Sequence, residues 1–419
     1  MPTSRAGCFQ WNARYRVRAP VASEIDPCVT CTCPARAAVC IPMRTGRNMK
    51  NGAGMPRDFV IGWDIGGAHV KAARIEDGRV RDIAQWPCPL WQGLEHVDNA
   101  LAQAALRWPD LAHADHAVTM TGEMADLFEH REAGVAAIAA RLASHCGERI
   151  AFYAGAAGWV AFDSVSAHWE RIASANWFAT AQLVASRIPH AVLVDIGSTT
   201  TDLIPIQDGR IVARGTDDAG RLKSGELVYQ GVVRTPLCAL AHRIRFCGEH
   251  YNVMNEFFAT TADVYRLTGA LDPLHDQQPA ADGGAKDRHG TCQRLARMIG
   301  RDARDAAGHD WVDLAHRWRD AQLAHLSLNL TRVLGRTGLA HNVVLIAAGC
   351  GAFLVDALAE PLGRDVVRFD ALPGIGIDAG EAGDAARGWA RVCAPCVAVG
   401  MLRTDTDTDT RETSEALFA

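Results

Sequence analysis

Two aspartates, Asp64 and Asp195, each begin an Asp-Ile-Gly sequence, and the two copies lie about 130 residues apart. Each aspartate ends an apolar run and is followed by glycine, by small or hydroxylated residues and by a second apolar run. This pattern is typical of two strands joined by a tight turn. Glycine lets backbone N–H groups approach an anion, and the carboxylate can hold a cation or a water beside that anion. Two such hairpins facing each other predict a phosphate clamp, whereas either one alone could be an ordinary turn.

Composition limits the classes of protein to which the chain can belong. Its 419 residues suggest two or three domains, and 48% hydrophobic with 22% charged residues is ordinary for a globular protein. A formal net charge of -5 provides no basic field, so we expect no nucleic-acid partner. No apolar run approaches the ~20 residues of a membrane-spanning helix. The arginines near the start have no apolar core behind them, which predicts no signal peptide and a cytoplasmic protein.

The 13 cysteines fall into two groups. Eight are scattered along the chain and are expected to be buried, reduced thiols. Among them, Cys393-x2-Cys396 has the spacing of a redox pair, but the surrounding Ala/Val-rich helical pattern favours core packing. The remaining five lie in the first 40 residues: Cys8, Cys28, Cys31, Cys33 and Cys40. The spacing Cys28-x2-Cys31-x-Cys33, with Cys40, could hold zinc, but residues 1–54 lack periodicity, and we interpret them as a disordered or misassigned extension.

Hydrophobic periodicity divides the rest of the chain into two halves of the same design. The pattern of residues 55–188 predicts elements in the order strand-strand-strand-helix-strand-helix-strand, and residues 189–402 begin with the same hairpin. The second half holds an insertion over about 217–318 that is predicted to be helical. The low-complexity tail 403–419, with its Thr-Asp repeats, is predicted to be disordered.

Three helices are predicted only from the local sequence pattern. One is expected to begin at Ala125, directly after the Gly122-Glu123 turn. Two more are expected in the insertion, over 236–245 and 256–268.

These motifs resemble the actin/sugar-kinase (ASKHA) superfamily of ATP-binding folds over roughly residues 58–402. The two Asp-Ile-Gly hairpins are similar to its phosphate motifs, and Ala347-Ala348-Gly349-Cys350-Gly351 is similar to its adenosine motif. More narrowly, the segment from Ser224 to Pro236 resembles the hydantoinase A/oxoprolinase family. The resemblance implies an α/β fold of duplicated actin-like, ribonuclease H-like halves around a central cleft. It also implies a nucleotide-like pocket at Gly349 and Gly351.

Four segments resemble a branch of that family linked to tetrahydromethanopterin-dependent one-carbon transfer: residues 62–73, 121–128, 175–177 and 294–302. The branch implies a transferase of methanofuran-type cofactor biosynthesis. Its reaction would condense an aminomethylfuran-methyl diphosphate with the phenol of γ-glutamyltyramine and release diphosphate. The expected partners are therefore small molecules, a furfuryl diphosphate and a phenolic amine. A homodimer is compatible with the sequence, which does not determine the oligomeric state.

One departure from the ATP-using relatives bears on the cofactor. They usually carry Thr or Ser after the first Gly-Gly, where this chain has Ala68. Loss of that hydroxyl weakens the case for ATP and suits an enzyme that only has to seat a diphosphate leaving group. The alternatives are an ATP-dependent hydantoinase/oxoprolinase-like hydrolase or kinase, and a nucleotide-dependent switch protein.

The resemblance and the chemistry together assign the candidate site. Leaving diphosphate needs preorganised donors and Mg²⁺, so Asp64 and Asp195 are expected to act in catalysis as metal ligands. The phosphate cradle is expected from glycines and hydroxyls of both turns and one lysine: Gly66, Gly67, Lys71, Gly197, Ser198, Thr199 and Thr200. Lys71 lies in a strand pattern, so a solvated lysine is an equal alternative.

A catalytic base must accept the phenol proton, and two residues are candidates. They are Glu226, which could instead cap a helix, and His69, which could instead be a satisfied strand histidine. Asn176 and Arg234 are assigned to the acceptor pocket. Asp202 is expected to tie the second hairpin to its neighbours.

Overall fold

Both Asp-Ile-Gly segments end the buried central strand of a sheet. The computed structural model describes residues 59–377 and 381–418. The predicted extension over 1–54, with its alternative zinc ligands, lies outside the described residues. Both central strands are entirely buried, because their β-branched and apolar residues are covered on both faces.

The first half is a six-stranded sheet with order β3-β2-β1-β4-β5-β6. Its strands are β1 (Phe59–Ile65), β2 (His69–Glu76), β3 (Arg79–Pro87), β4 (Asp115–Met120), β5 (Ile150–Tyr153) and β6 (Trp159–Ala161). Its helices are α1 (Glu95–Arg107), α2 (Arg131–Cys146), α3 (Trp169–Ile172) and α4 (Asn176–Arg187). Strand β1 pairs antiparallel with β2 and parallel with β4.

The second half repeats this arrangement. Its strands are β7 (Ala191–Ile196), β8 (Thr201–Gln207), β9 (Arg210–Ile211), β10 (Leu227–Val228), β11 (Arg243–Phe246), β12 (Glu249–Asn252), β13 (Val344–Ala348) and β14 (Val366–Arg368). Its sheet has the order β10-β8-β7-β13-β14, with β9 beside β8. Strand β7 pairs antiparallel with β8 and parallel with β13, as β1 does with β2 and β4. The predicted α/β fold of duplicated halves is confirmed.

Helices of the second half build the insertion and close the molecule. They are α5 (Asp218–Ser224), α6 (Thr261–Leu267), α7 (Arg288–Arg297), α8 (Gly308–Thr337), α9 (Val355–Ala359), α10 (Glu381–Val392) and α11 (Ala394–Phe418). In the described part of the chain, no helix is both long and apolar enough to cross a membrane.

Three hydrophobic clusters form the core. One lies within the first half and one in the second half with its insertion. The third combines residues of β1 to β3, of β7, β8 and β13, and of α4 and α11. Because this cluster draws on both sheets, it fixes the two hairpins relative to each other.

Local structure differs from the prediction at four places. No helix begins at Ala125; a 3-10 turn, Gly122–Met124, precedes α2, which starts at Arg131 where His130 Nδ1 accepts from Ala133 N. Residues 236–245 do not form one helix: a 3-10 turn, Leu237–Ala239, is followed by β11, whose residues alternate between exposed and buried. The helix expected over 256–268 starts at Thr261, because Thr260 and Asp263 form a capping box. The tail predicted to be disordered, 403–419, continues α11 to Phe418.

Candidate active site between the two hairpins

The two turns have the same backbone geometry. Gly66 N donates to His69 O at 2.9 Å, and Gly197 N donates to Thr200 O at 2.8 Å. In register, Asp64 faces Lys71 across the first hairpin, and Asp195 faces Asp202 across the second. The halves therefore present one carboxylate–ammonium pair and one pair of carboxylates.

A cavity of about 360 Å³ lies between these turns and brings most predicted site residues together. The predicted residues that line it are Asp64, Gly66, Gly67, His69, Lys71, Asn176, Asp195, Gly197, Ser198, Thr199, Thr200, Asp202 and Arg234. Glu226, Gly349 and Gly351 are not among the lining residues.

Lys71 lines the cavity and is paired with Asp64. Its Nζ lies 3.4 Å from Asp64 Oδ2. Although burial opposes the charged ammonium, the carboxylates of Asp64 and Asp195 hold the pKa of Lys71 above its ordinary value. Burial, reinforced by the charge of Asp202, raises the pKa of Asp195 to about 7. Lys71 is a half-buried cation paired with Asp64 at the cavity wall, rather than a freely solvated lysine.

Asp202 and Arg221 form a second ion pair in the cleft. Arg221 is buried, donates to Asp202 Oδ1, and lies with its Cζ 4.2 Å from the centroid of the Trp177 ring. Its Nη1 also lies 3.7 Å from Asp218 Oδ1. Asp202 thus ties β8 to α5, as the sequence predicts, while it also lines the cavity.

The second turn is held by backbone hydrogen bonds from the segment that follows β10. Val232 N donates to Gly197 O at 3.0 Å, and both Val233 N and Arg234 N donate to Ser198 O, at 3.1 and 2.9 Å. A Cβ on Gly231 would overlap Ser198 and lie 2.5 Å from Gly197 O. The segment with the family resemblance therefore holds the carbonyl side of the phosphate turn in place.

The donor set fits a hard divalent cation in part. Asp64 Oδ1 is buried and has no hydrogen-bond partner among the described residues, which is the state expected of a carboxylate oxygen that awaits a ligand. Within the described residues, no group of three or more His, Cys, Asp or Glu side chains could hold a metal alone. Remaining ligands would have to come from substrate phosphate and water, as is usual for Mg²⁺.

His69 is placed in the cleft but is a poor base. Its Nε2 lies 3.1 Å from Gln278 Nε2, an amide nitrogen that can only donate, so His69 Nε2 accepts. Burial, together with the charges of Lys71 and Arg234, lowers the pKa of His69 to about 3. The acceptor nitrogen of the neutral ring already binds Gln278, so it is not available to take the phenol proton.

Glu226 is placed away from the reacting groups. Its carboxylate accepts from Arg214 N at 2.7 Å, from Gly215 N at 2.9 Å and from Ser224 Oγ at 2.8 Å. These bonds satisfy a buried charge and anchor the start of the insertion. Geometry therefore supports neither the proposed base role nor a helix cap for Glu226.

Gly349 and Gly351 serve close packing under β7. A Cβ on Gly349 would overlap Ile196 O and lie 2.5 Å from Asp195 Oδ1, and Gly349 has a φ of 81°. A Cβ on Gly351 would lie 2.5 Å from Ile196 Cγ2. Both glycines thus let the loop after β13 approach the strand that carries Asp195, rather than line the cavity.

One polar cluster on the cleft wall was missed by sequence reasoning. Ser174 Oγ lies 2.7 Å from Glu123 Oε1 and 2.9 Å from Asp218 Oδ2, and Arg131 Nη2 donates to it at 2.8 Å. Burial raises the pKa of Glu123. Glu123 stands in one of the segments quoted for the family resemblance, but its partners are distant in sequence, so no local pattern reveals them.

Comparisons with known proteins give the family and named relatives of the chain. A family model described as hydantoinase/oxoprolinase matches residues 115–376. The chain is 30% identical, over 304 residues, to the (4-{4-[2-(gamma-L-glutamylamino)ethyl]phenoxymethyl}furan-2-yl)methanamine synthase of Methanocaldococcus jannaschii, which covers 72% of this chain and 89% of that protein. The synthase of the same name from Methanococcus vannielii is 32% identical over 181 residues, 43% of this chain and 80% of that protein.

A solved structure gives the same fold. The nucleotide-free structure of an ATP-dependent acetone carboxylase aligns with a TM-score of 0.51 at 12% identity, over 83% of this chain and 70% of that chain. At this identity the likeness concerns the fold alone.

Proposed function

Because the chain belongs to the hydantoinase/oxoprolinase family, we propose that it is a transferase of the same kind as its synthase relatives. It would form an aryl ether between an aminomethylfuran-methyl diphosphate and the phenol of γ-glutamyltyramine, and release diphosphate. The observation that carries the proposal is the 30% identity over 89% of the length of a synthase whose name describes such an ether.

The reaction balances as a substitution at the furfuryl carbon. The bond from that carbon to the diphosphate oxygen breaks, and its electron pair leaves with diphosphate. The phenol oxygen forms the new bond to the same carbon, and the phenol proton passes to a carboxylate of the cleft. The electron-rich furan stabilises positive charge on the carbon, so the main cost is the charge that develops on diphosphate.

The chain supplies most of what this leaving group needs. The two glycine turns face one cavity, and the second carries Ser198, Thr199 and Thr200 along its wall. Clamping by the segment after β10 preorganises that turn, so its donors need not reorganise as charge develops.

Electrostatics of the cleft favour a diphosphate that arrives with a divalent cation. Five carboxylates line the cavity, Asp64, Asp126, Asp195, Asp202 and Asp218, against three cations, Lys71, Arg221 and Arg234. We propose that Asp64, through its unpartnered Oδ1, and Asp195 hold Mg²⁺. When bound, Mg²⁺ would neutralise charge on the leaving diphosphate.

ATP has no role in this proposal. Ala68 lines the cavity where ATP-using relatives carry a hydroxyl, and the glycines of the adenosine-like motif pack under β7. The ATP-dependent hydrolase or kinase and the nucleotide-dependent switch are alternatives that the names of the synthase relatives do not favour.

The proposal includes small-molecule partners and a cytoplasmic location. In the described part of the chain eight cysteines are free thiols, which agrees with a reducing compartment. A homodimer belongs to the same proposal and is tested by light scattering of the purified protein.

Mass spectrometry of the products tests the function. The protein, Mg²⁺, the furfuryl diphosphate and γ-glutamyltyramine are expected to yield the aryl ether and one diphosphate per ether. Omission of the phenolic amine, and the Asp195→Asn variant, serve as controls. Steady ATP hydrolysis without ether formation would instead support the ATP-dependent alternative.

A further inference from the structure

The three cations of the cleft differ in what already neutralises them. Lys71 is paired with Asp64, and Arg221 is paired with Asp202 and Asp218. Among the described residues, no carboxylate lies within ion-pair distance of the Arg234 guanidinium. Burial lowers the pKa of Arg234, as expected for a charge that lacks a counter-ion. Arg234 is thus the cleft cation free to meet an anion.

Arg234 is fixed beside the second phosphate turn. Its backbone N donates to Ser198 O at 2.9 Å. Its side chain crosses toward the first half, where the guanidinium Cζ lies 5.1 Å from the centroid of the Trp91 ring. Stacking on an aromatic face attracts the cation and restricts its rotamers.

Trp91 is in turn fixed beside the first phosphate turn. The preceding residue, Leu90, donates its N–H to Gly67 O at 3.1 Å. Trp91 is 39% exposed and lines the cavity together with Arg234. The Arg234–Trp91 contact is therefore anchored on both turns at once.

We propose that Arg234, held over Trp91, is the anion-binding group that receives phosphate oxygens of the substrate's diphosphate. The identity of the anion rests on the proposed function. The planar guanidinium can donate two parallel N–H bonds to one phosphate, which a point charge cannot. Lys71, which the sequence assigns to phosphate, is instead already paired with Asp64.

Calorimetry with inorganic diphosphate and Mg²⁺ tests the proposal without any organic substrate. Arg234→Gln is expected to weaken diphosphate binding about ten- to a hundredfold, since a charged hydrogen-bonded contact is lost. Arg234→Lys should recover part of that loss, and Trp91→Leu should weaken binding less than Arg234→Gln. The matched control is Arg403→Gln, which removes another arginine stacked on a tryptophan, with Cζ 5.6 Å from the Trp159 ring and neither residue lining the cavity. It should bind diphosphate as the wild type does.

Two outcomes would overturn the inference. One is diphosphate affinity in Arg234→Gln equal to that of the wild type, with an unchanged melting temperature for the variant. The other is no measurable binding of diphosphate to the wild-type chain. Failure of the proposed function looks different: the wild type would bind diphosphate in an Arg234-dependent manner but form no ether.

Discussion

At the residue scale, the two hairpins differ in the group that faces their aspartate. Asp64 faces Lys71, whose ammonium offsets its charge, while Asp195 faces Asp202. A carboxylate that is buried opposite another carboxylate resists ionisation. The pKa of Asp195 is accordingly raised to about 7, and the cleft stores unfavourable charge that a bound cation would relieve.

Asp195→Asn is expected to lower turnover on the order of a hundredfold, because an element of charge stabilisation is lost. The same change should stabilise the metal-free protein. Since the folded pKa of Asp195 lies above its unfolded value, its contribution to stability is full below about pH 4 and is lost as the pH rises through about 7. The melting temperature of Asp195→Asn should therefore exceed that of the wild type by a few degrees at pH 8 and by less at pH 5. Near-normal turnover at saturating Mg²⁺, or a lower melting temperature at pH 8, would contradict this.

Ala68 bears on the choice between diphosphate and ATP. With Mg²⁺ present, diphosphate is expected to bind more tightly than ATP, because the first turn lacks the hydroxyl that would align phosphate or water. Ala68→Thr restores that hydroxyl and should change ether formation little. Calorimetry of the wild type and of Ala68→Thr with each ligand measures the two affinities, and a product assay measures ether formation. Tight ATP binding with steady hydrolysis and no response to diphosphate would contradict the prediction.

At the scale of elements, the position of β1 depends on how closely α11 can approach it. A Cβ on Gly62 would overlap Cys396 O and lie 2.7 Å from Gly400 N. Helix α11 begins beside the cleft, where Pro395 lines the cavity. The buried thiol of Cys396 donates to Cys393 O at 3.1 Å, and the close approach of Cys396 O to Gly62 packs this Cys-x2-Cys segment against the strand that carries Asp64.

Gly62→Ala is expected to push α11 away from β1 and to lower stability by about 1–3 kcal/mol or more, as overpacking does. Gly67→Ala is the matched control in the same hairpin, since nothing lies within 4 Å of its added Cβ. Thermal unfolding of both variants followed by circular dichroism checks this. Equal melting temperatures for the two variants would show that α11 can shift without cost.

At the scale of the whole molecule, the cleft is held by a core that both halves share. The cluster that joins the two sheets contains Ile75 of the first half and Ile346 of the second, together with residues of α4 and α11. Arg187 of α4 also donates to Asp405 of α11 at 2.9 Å. Relative motion of the hairpins would have to disturb this cluster, so we expect the turns to be preorganised rather than assembled by the substrate.

A chain that begins at Met55 is expected to fold and to melt like the full-length chain. The reason is that residues 1–54 show no periodicity of helix or strand, whereas the first strand, β1, begins only at Phe59. Differential scanning calorimetry of both chains, with zinc analysis, measures this. A large loss of stability, or stoichiometric zinc bound through Cys28, Cys31 and Cys33, would count against it.

The sequence alone sufficed for the hairpins, because strand, turn and strand are contiguous and their pattern is local. It likewise predicted that Asp64 and Asp195 end paired strands, and the repeat of that unit predicted the duplicated α/β fold. It failed for the helices of 236–245 and from Ala125, where short segments follow tertiary contacts rather than propensity.

Only the tertiary structure decided which charged groups are already satisfied. The acceptor nitrogen of His69 is occupied by Gln278, which lies 209 residues away, so His69 is a poor base. The carboxylate of Glu226 is likewise occupied by backbone N–H groups of a neighbouring loop. Arg234 and Trp91 meet across the cleft from different halves. A residue's type and spacing limit the chemistry it can perform. Whether its polar or charged group is still available to a ligand depends on partners that are distant along the chain.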